Sequence, residues 1–526
     1  MFTRPARFWM PCGHLLSTRA RDAAGMSVDA TTQPLRSGPA RRTIVRGAAV
    51  GAVVATARVT PFATARAEAA PRTGFLHGVA SGDPLPTAVV LWTRVTPSAD
   101  ATPGSAKGER VRVVWEVATD ESFTTLVRTG HMSTGTERDH TVSVDATGLT
   151  PATRYAYRFR SGGRVSPTGW TRTAPEPSST PSALRLGVVS SSGREGQVAA
   201  YRHLARHDLD AVLHMGDDND RGRAGEPAHD VAALADHRER HGRSKSDPDL
   251  QQLHAAVPWI TTWRDRGAAA RQAHDEWMPV RPSGEGPHGD DHRSLSFGTL
   301  ADLSLLDLRS SSDTSSVGWL KSSLSRSQAT WKLVGNPVMI APVTLDEVET
   351  RVGRALHEMG GVLSPEDGDA VEQADGYTAD RREVVDHLAD QAIDNTLFLT
   401  GGIHSAWASD VPHDVGSYPS SGSVAVEFIG TSVSPDNLDD ILGVEPRTVS
   451  LGVESAIRTA NLHVRYLDLD RHGYSVLTLT PGRAQMDWYA LTDHADPDTG
   501  VRWRAGFETL PGRNRATRVW YPALGD

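Results

Sequence analysis

The sequence predicts a layered α/β domain preceded by a small β-sandwich, and three observations carry that expectation. Residues 74–173 hold β-branched and aromatic runs separated by Gly, Pro and Asp turns. Residues 173–182 are rich in proline and serine, with almost no apolar content. Beyond them, apolar strands alternate with stretches of helical spacing. The chain therefore divides into a leader (1–69), a β-sandwich (74–173) and an α/β domain (183–526).

The leader reads as an export signal. Arg41-Arg42-Thr-Ile-Val-Arg46 precedes an apolar, small-residue run from Gly47 to Ala57, and Ala65-Arg-Ala67 or Ala67-Glu-Ala69 gives cleavage spacing. Paired arginines ahead of a short apolar run point to the twin-arginine translocation machinery, with Met1 or Met26 as the start. The run is shorter than the roughly 20 residues that cross a bilayer, so no transmembrane anchor is expected after cleavage, and the protein is expected to be secreted or held in the cell envelope. Cys12 is the single cysteine and lies ahead of this signal, which leaves neither a disulfide nor a thiolate metal ligand beyond it. A formal charge of −9 gives no nucleic-acid-binding footprint.

In the β-sandwich, Val89-Val-Leu-Trp92, Val111-Arg-Val-Val-Trp-Glu-Val117 and Tyr155-Ala-Tyr-Arg-Phe159 are the expected strands. In the α/β domain, the strand Leu184–Val189, a helix from Gly196 to His207 and the strand Leu209–Met215 form a right-handed βαβ unit. Further strands are expected at Trp259–Trp263, Ala301–Leu308, Trp331–Val334, Thr396–Thr400, Val424–Ile429 and Leu462–Leu467. Val384, Leu388 and Ala392 recur every four residues and predict a helix over Glu383–Asn395.

Several strands end abruptly in Gly or polar residues: Ser190-Ser-Ser192, Gly216-Asp-Asp-Asn-Asp220, Trp263-Arg-Asp-Arg-Gly267 and Gly401-Gly-Ile-His-Ser405. Ligands in open α/β sheets collect at the carboxyl ends of strands, and carboxylates and imidazoles gathered there are candidate metal ligands. Each stretch alone is equally compatible with a solvated turn.

These motifs resemble the alkaline phosphatase D family of secreted calcineurin-like metallophosphoesterases. Phe75-Leu-His-Gly-Val-Ala-Ser-Gly-Asp-Pro84 and Val90-Leu-Trp-Thr-Arg94 are similar to its N-terminal domain, and Lys245-Ser-Asp-Pro-Asp-Leu250, Glu276-Trp-Met-Pro-Val-Arg281 and Trp331 to Met339 to its phosphoesterase core. Leu149 to Tyr157 also resembles the fibronectin type III signature, in which a corner tyrosine bonds backbone. The resemblance implies a calcineurin-like metallophosphoesterase sandwich behind a fibronectin type III-like domain, and an iron–calcium centre acting on phosphate esters.

The chain departs from that pattern at the metal positions. Where the resemblance implies a cysteine ligand the chain has Ser191, and where it implies a tyrosine ligand it has Asp220. Arg264 and Arg266 stand where relatives have Asp and His, and Gly402 where they have Asp. Asp217, Asp265 and His404 are retained, with Asp220 a further carboxylate. The iron–calcium centre is thus expected to be absent, and one divalent cation (Ca, Mn or Mg) is the most these ligands would hold.

Three readings follow. The chain is a weak or inactive hydrolase whose Arg264 and Arg266 bind a phosphate or phosphate ester. Alternatively, it is an active phosphomonoesterase or phosphodiesterase with one metal on Asp217, Asp220, Asp265 and His404, in which Arg309 and Asn336 orient the phosphate and His404 serves catalysis. Or it is a noncatalytic cell-surface module. Two roles stand open for the arginines, anion receptor or internal neutraliser of Asp217, Asp218 and Asp220.

Overall fold

The computed structural model describes residues 73–190, 198–216, 233–262, 267–281, 292–306, 314–344, 350–359, 377–434 and 436–523. The leader, Ser191, Asp217, Asp220, Arg264, Asp265, Arg266 and Arg309 lie outside the described residues.

Two large sheets form the α/β domain. One runs, in spatial order, Thr517–Val519, Val501–Thr509, Arg483–Leu491, Gly473–Thr480, Leu184–Val189, Ala211–His214, Trp259–Thr261, Val79–Leu85, Ala88–Arg94 and Thr141–Thr147. The other runs Arg293–Phe297, Ala301–Leu305, Trp331–Asn336, Thr396–Thr400, Ser423–Ile429, Ala406–Pro412 and Val464–Asp468. The strands Leu184–Val189, Ala211–His214 and Trp259–Thr261 are mutually parallel, as are Ala301–Leu305, Trp331–Asn336 and Thr396–Thr400.

The period of two along each strand builds the layers. Ala211, Leu213 and Met215 face inward and join Leu303, Leu333, Leu397 and Leu399 of the opposite sheet in one core. Val212, between them, packs outward with Tyr201, Leu250 and Leu253 from the helices Ala199–Leu204 and Pro248–Ala256. On the far side, Val334 and Phe398 pack against Leu320, Leu324, Val384 and Leu388 from the helices Thr314–Arg326 and Tyr377–Asp390. The result is two sheets between two helical layers.

The N-terminal domain is continuous with this framework. Its strand Val79–Leu85 pairs in parallel with Trp259–Thr261 through Gly82 and Trp259. A Cβ at Gly82 would stand 2.1 Å from the Pro279 carbonyl oxygen and 2.6 Å from that of Trp259, so only glycine lets the backbones approach. A third sheet of Leu126–Thr134, Val111–Ala118, Arg154–Ser161, Arg164–Val165 and Gly169–Arg172 closes the sandwich over Val79, Val89, Leu91 and Val142. The corner tyrosine is present: the Thr150 N–H donates to the Tyr155 hydroxyl at 2.9 Å.

Candidate active site at the strand ends

The carboxyl ends of strands from both sheets meet. A Cβ at Gly401 would lie 2.5 Å from Met215 Cβ, 2.6 Å from the Met215 carbonyl oxygen and 2.6 Å from Ser190 Cβ. Glycine at 401 is therefore what lets the strand end at Thr400, beside Asn336 in its sheet, close on those at Val189 and His214. A Cβ at Gly335 would meet Leu305 Cδ2 of the neighbouring strand at 2.5 Å, with Met215 Cε next at 3.3 Å. Ser190 is buried there and bridges in parallel to Ser432, while the Thr262 N–H donates to the His214 carbonyl at 2.9 Å. The acidic and arginine-bearing stretches 217–220 and 263–266 continue from Gly216 and Thr262 and lie outside the described residues.

His404 is placed by backbone geometry that side chains seldom adopt. Its φ is 47°, in the left-handed region, two residues after Gly402 at 78°. Such strain persists where the surroundings hold it and is concentrated at functional sites. The ring is buried, and Nδ1 lies 3.1 Å from the Asp436 carbonyl oxygen. A carbonyl only accepts, so Nδ1 carries the proton and the lone pair of the neutral ring sits on Nε2, the state a ligand or general base requires.

Asn336 ends its strand opposite Thr400, fully buried, and donates through Nδ2 to the Val338 carbonyl at 2.7 Å. Of the candidates described, then, His404 and Asn336 sit at the ends of strands that close on the same point.

Glu427, which no strand-end motif marks, supports this arrangement. It accepts from the Thr400 hydroxyl at 2.7 Å and from the Ile340 and Ala341 N–H groups at 2.9 and 2.8 Å, tying down the chain that follows Asn336. Its signal was a lone charge in the apolar run Val424-Ala-Val-Glu-Phe-Ile429. Burial drives its carboxyl up to about 7 against the three donors and the Arg381 charge, which pull it down.

A raised carboxyl binds its proton more tightly in the folded than in the unfolded protein. Its stabilising contribution is complete below the unfolded value of about 4.5 and is lost as pH rises through about 7. Urea midpoints at pH 5 and pH 8 should therefore differ between wild type and Glu427→Gln by a pH-dependent term on the order of 3 kcal/mol. Parallel profiles for the two proteins would refute this.

The comparisons with known proteins bear on what these strand ends descend from. Residues 61–175 match the N-terminal domain of PhoD-like phosphatases, and residues 186–266, 262–318 and 315–488 match the PhoD-like phosphatase domain itself. The chain belongs to the PhoD-like phosphatase family. It is 30% identical over 495 residues to alkaline phosphatase D of Bacillus subtilis (strain 168), covering 82% of this chain and 80% of that one. A solved structure of PhoD superposes with a TM-score of 0.72 at 28% identity, covering 86% of this chain and 93% of that one.

Membership of the PhoD-like family implies metal dependence, and the side chains at the implied positions bear on which residues would hold an ion. The single cysteine stands at position 12, in the leader. Gly402, where the resemblance implies a carboxylate, has no side chain with which to ligate. The Ser190 hydroxyl lies 3.3 and 3.4 Å from the Gly430 and Thr431 carbonyl oxygens and donates to backbone. Among the described residues of the four motifs, His404 is the side chain suited to a metal.

Proposed function

We propose that this chain is an exported phosphate-ester-directed member of the family, weak as a hydrolase, whose strand-end pocket binds the phosphoryl group. Family membership carries a phosphoesterase-type function with phosphate esters as the substrate class. The observation that supports reduced hydrolysis is the Gly401-Gly402 turn, closed against Met215 and Ser190 without a carboxylate and followed by His404 alone.

In this reading Arg264 and Arg266 replace cationic charge that metals supply in relatives. A guanidinium cannot ligate a cation, yet it binds phosphate through charge-assisted, often bidentate hydrogen bonds. Arg309 and Asn336 orient the same group. Export is proposed to use the twin-arginine pathway through Arg41-Arg42; among the described residues no helix is long and apolar enough to cross a membrane.

A second reading is supported by the His404 tautomer: one hard dication on Asp217, Asp220, Asp265 and His404. The two separate in calorimetry with inorganic phosphate in the presence of chelator. Binding that disappears in the Arg264→Ala, Arg266→Ala variant is expected. Absence of binding, together with lower stability of that variant, would make the arginines internal neutralisers and defeat the proposal.

A further inference from the structure

Outside the strand-end motifs, Asp440, His472 and His494 converge. Asp440 lies in the helix Leu438–Leu442, His472 directly before the strand Gly473–Thr480, and His494 in the turn after Arg483–Leu491. Gly473 pairs with Ala490, and the Leu491 N–H donates to the His472 carbonyl at 2.9 Å, so the hairpin brings both histidines to one end. Their rings stack at 3.9 Å with 29° between planes, and His472 Nε2 is 3.6 Å from Asp440 Oδ2. One ligating atom from each residue lies within 4.8 Å of the other two.

A second observation points to a ligand. Asn437 is 1% exposed, and its amide oxygen has no hydrogen-bond partner among the described residues. Its Nδ2 stands 3.3 Å from His472 Nδ1. A half-turn of the amide would set Oδ1 against that nitrogen. Nδ1–H would then donate to the orphaned oxygen, and the lone pair would move to Nε2, facing Asp440. Metal-bound histidines are held in this way, with the other ring nitrogen donating to an oxygen.

We propose that Asp440, His472 and His494 bind a late first-row transition-metal dication of the zinc class, with Asn437 fixing the His472 tautomer. Two imidazoles and one carboxylate suit such an ion, and three protein ligands leave a position for water. Zinc bonds of about 2.0–2.2 Å draw the donors closer together than they now stand. Asp440 and His494 are partly exposed, and Asp440 Oδ2, which accepts the Asn437 N–H at 3.4 Å, already faces the buried His472. Asn437 follows Asp436, whose carbonyl orients His404, so the bound cation would also steady that contact.

The test uses the full chain stripped with chelator and titrated with zinc by calorimetry, with the visible spectrum of cobalt(II) as a second readout. Wild type and Asp217→Ala should each take up zinc and give cobalt d–d bands with imidazole ligation. His494→Ala should lose both, and Asn437→Ala should bind zinc about 10–100-fold more weakly. Uptake unchanged in His494→Ala, uptake lost in Asp217→Ala but kept in His494→Ala, or no uptake by wild type would each overturn the proposal and leave a histidine stack only.

Discussion

Arg238→Ala should cost the folded protein about 3–5 kcal/mol, because it leaves a carboxylate buried without its counter-ion. Arg238 and Glu276, both nearly inaccessible to solvent, form a forked pair: Nε to Oε2 at 2.7 Å and Nη2 to Oε1 at 2.7 Å. The same Nη2 donates to the Glu137 carbonyl at 3.0 Å, and the Glu276 carbonyl accepts from Trp92 Nε1 at 2.8 Å. The pair thus pins the helices Leu234–Ser244 and Ala268–Trp277 to the N-terminal sandwich.

Around this joint, Arg94 is fully buried and donates to the Asp139 and Ala101 carbonyls at 2.8 and 2.9 Å. His77 stands edge-on to Trp277 at 5.2 Å, and burial, with the Arg94 and Lys245 charges, lowers its pKa to about 3, so it stays neutral. Without Arg238, Glu276 retains Gln272 Nε2 at 2.9 Å as its side-chain donor among the described residues. Removing both charges, as in Arg238→Met, Glu276→Leu, should recover much of the loss, since apolar replacements of buried pairs are often neutral. Urea denaturation measures both variants; a loss under about 1 kcal/mol for Arg238→Ala would show that the joint does not depend on the pair.

Much of the framework was legible because apolar runs and alternation mark its strands. Val111–Ala118 lies where the period of two placed it, and Leu184–Val189 and Thr396–Thr400 where short apolar runs placed them. The helix expected over Glu383–Asn395 runs instead from Tyr377 to Asp390. Its end is conformational: Ala392 and Asn395 take φ of 49° and 61°, which no α-helix continues through.

The antiparallel strands Gly473–Thr480, Arg483–Leu491 and Val501–Thr509 were not anticipated, and in the middle strand buried polar residues break the pattern. Gln485 and Asp487 are buried, paired at 3.0 Å, with Trp503 Nε1 donating to Asp487 at 2.8 Å. Nor does local sequence reveal that Gly82 pairs with Trp259, a contact across the linker that merges the two domains into one sheet. At the site, the motifs marked His404 directly. Its partner is a backbone carbonyl, at Asp436, and the group that fixes the chain after Asn336 is Glu427 on another strand. Backbone acceptors and remote carboxylates leave no signature in a motif.

Metals in a two-metal phosphoesterase generate the nucleophile and neutralise charge on the phosphoryl oxygens. Guanidinium groups can perform the second task but not the first, and in the proposed reading Gly402 and Ser191 stand where the family resemblance implies ligands for the first. A missing nucleophile activator is expected to lower turnover at least about a thousandfold, roughly 4 kcal/mol of barrier. The measurement is steady-state hydrolysis of a simple phosphomonoester and a phosphodiester, with iron, calcium and manganese supplied, beside the Bacillus subtilis relative under the same conditions. The expected rate is at least about a thousandfold below that of the relative and insensitive to Asp217→Ala. Turnover within about tenfold of the relative that Asp217→Ala abolishes would contradict it and establish a working metal-dependent hydrolase.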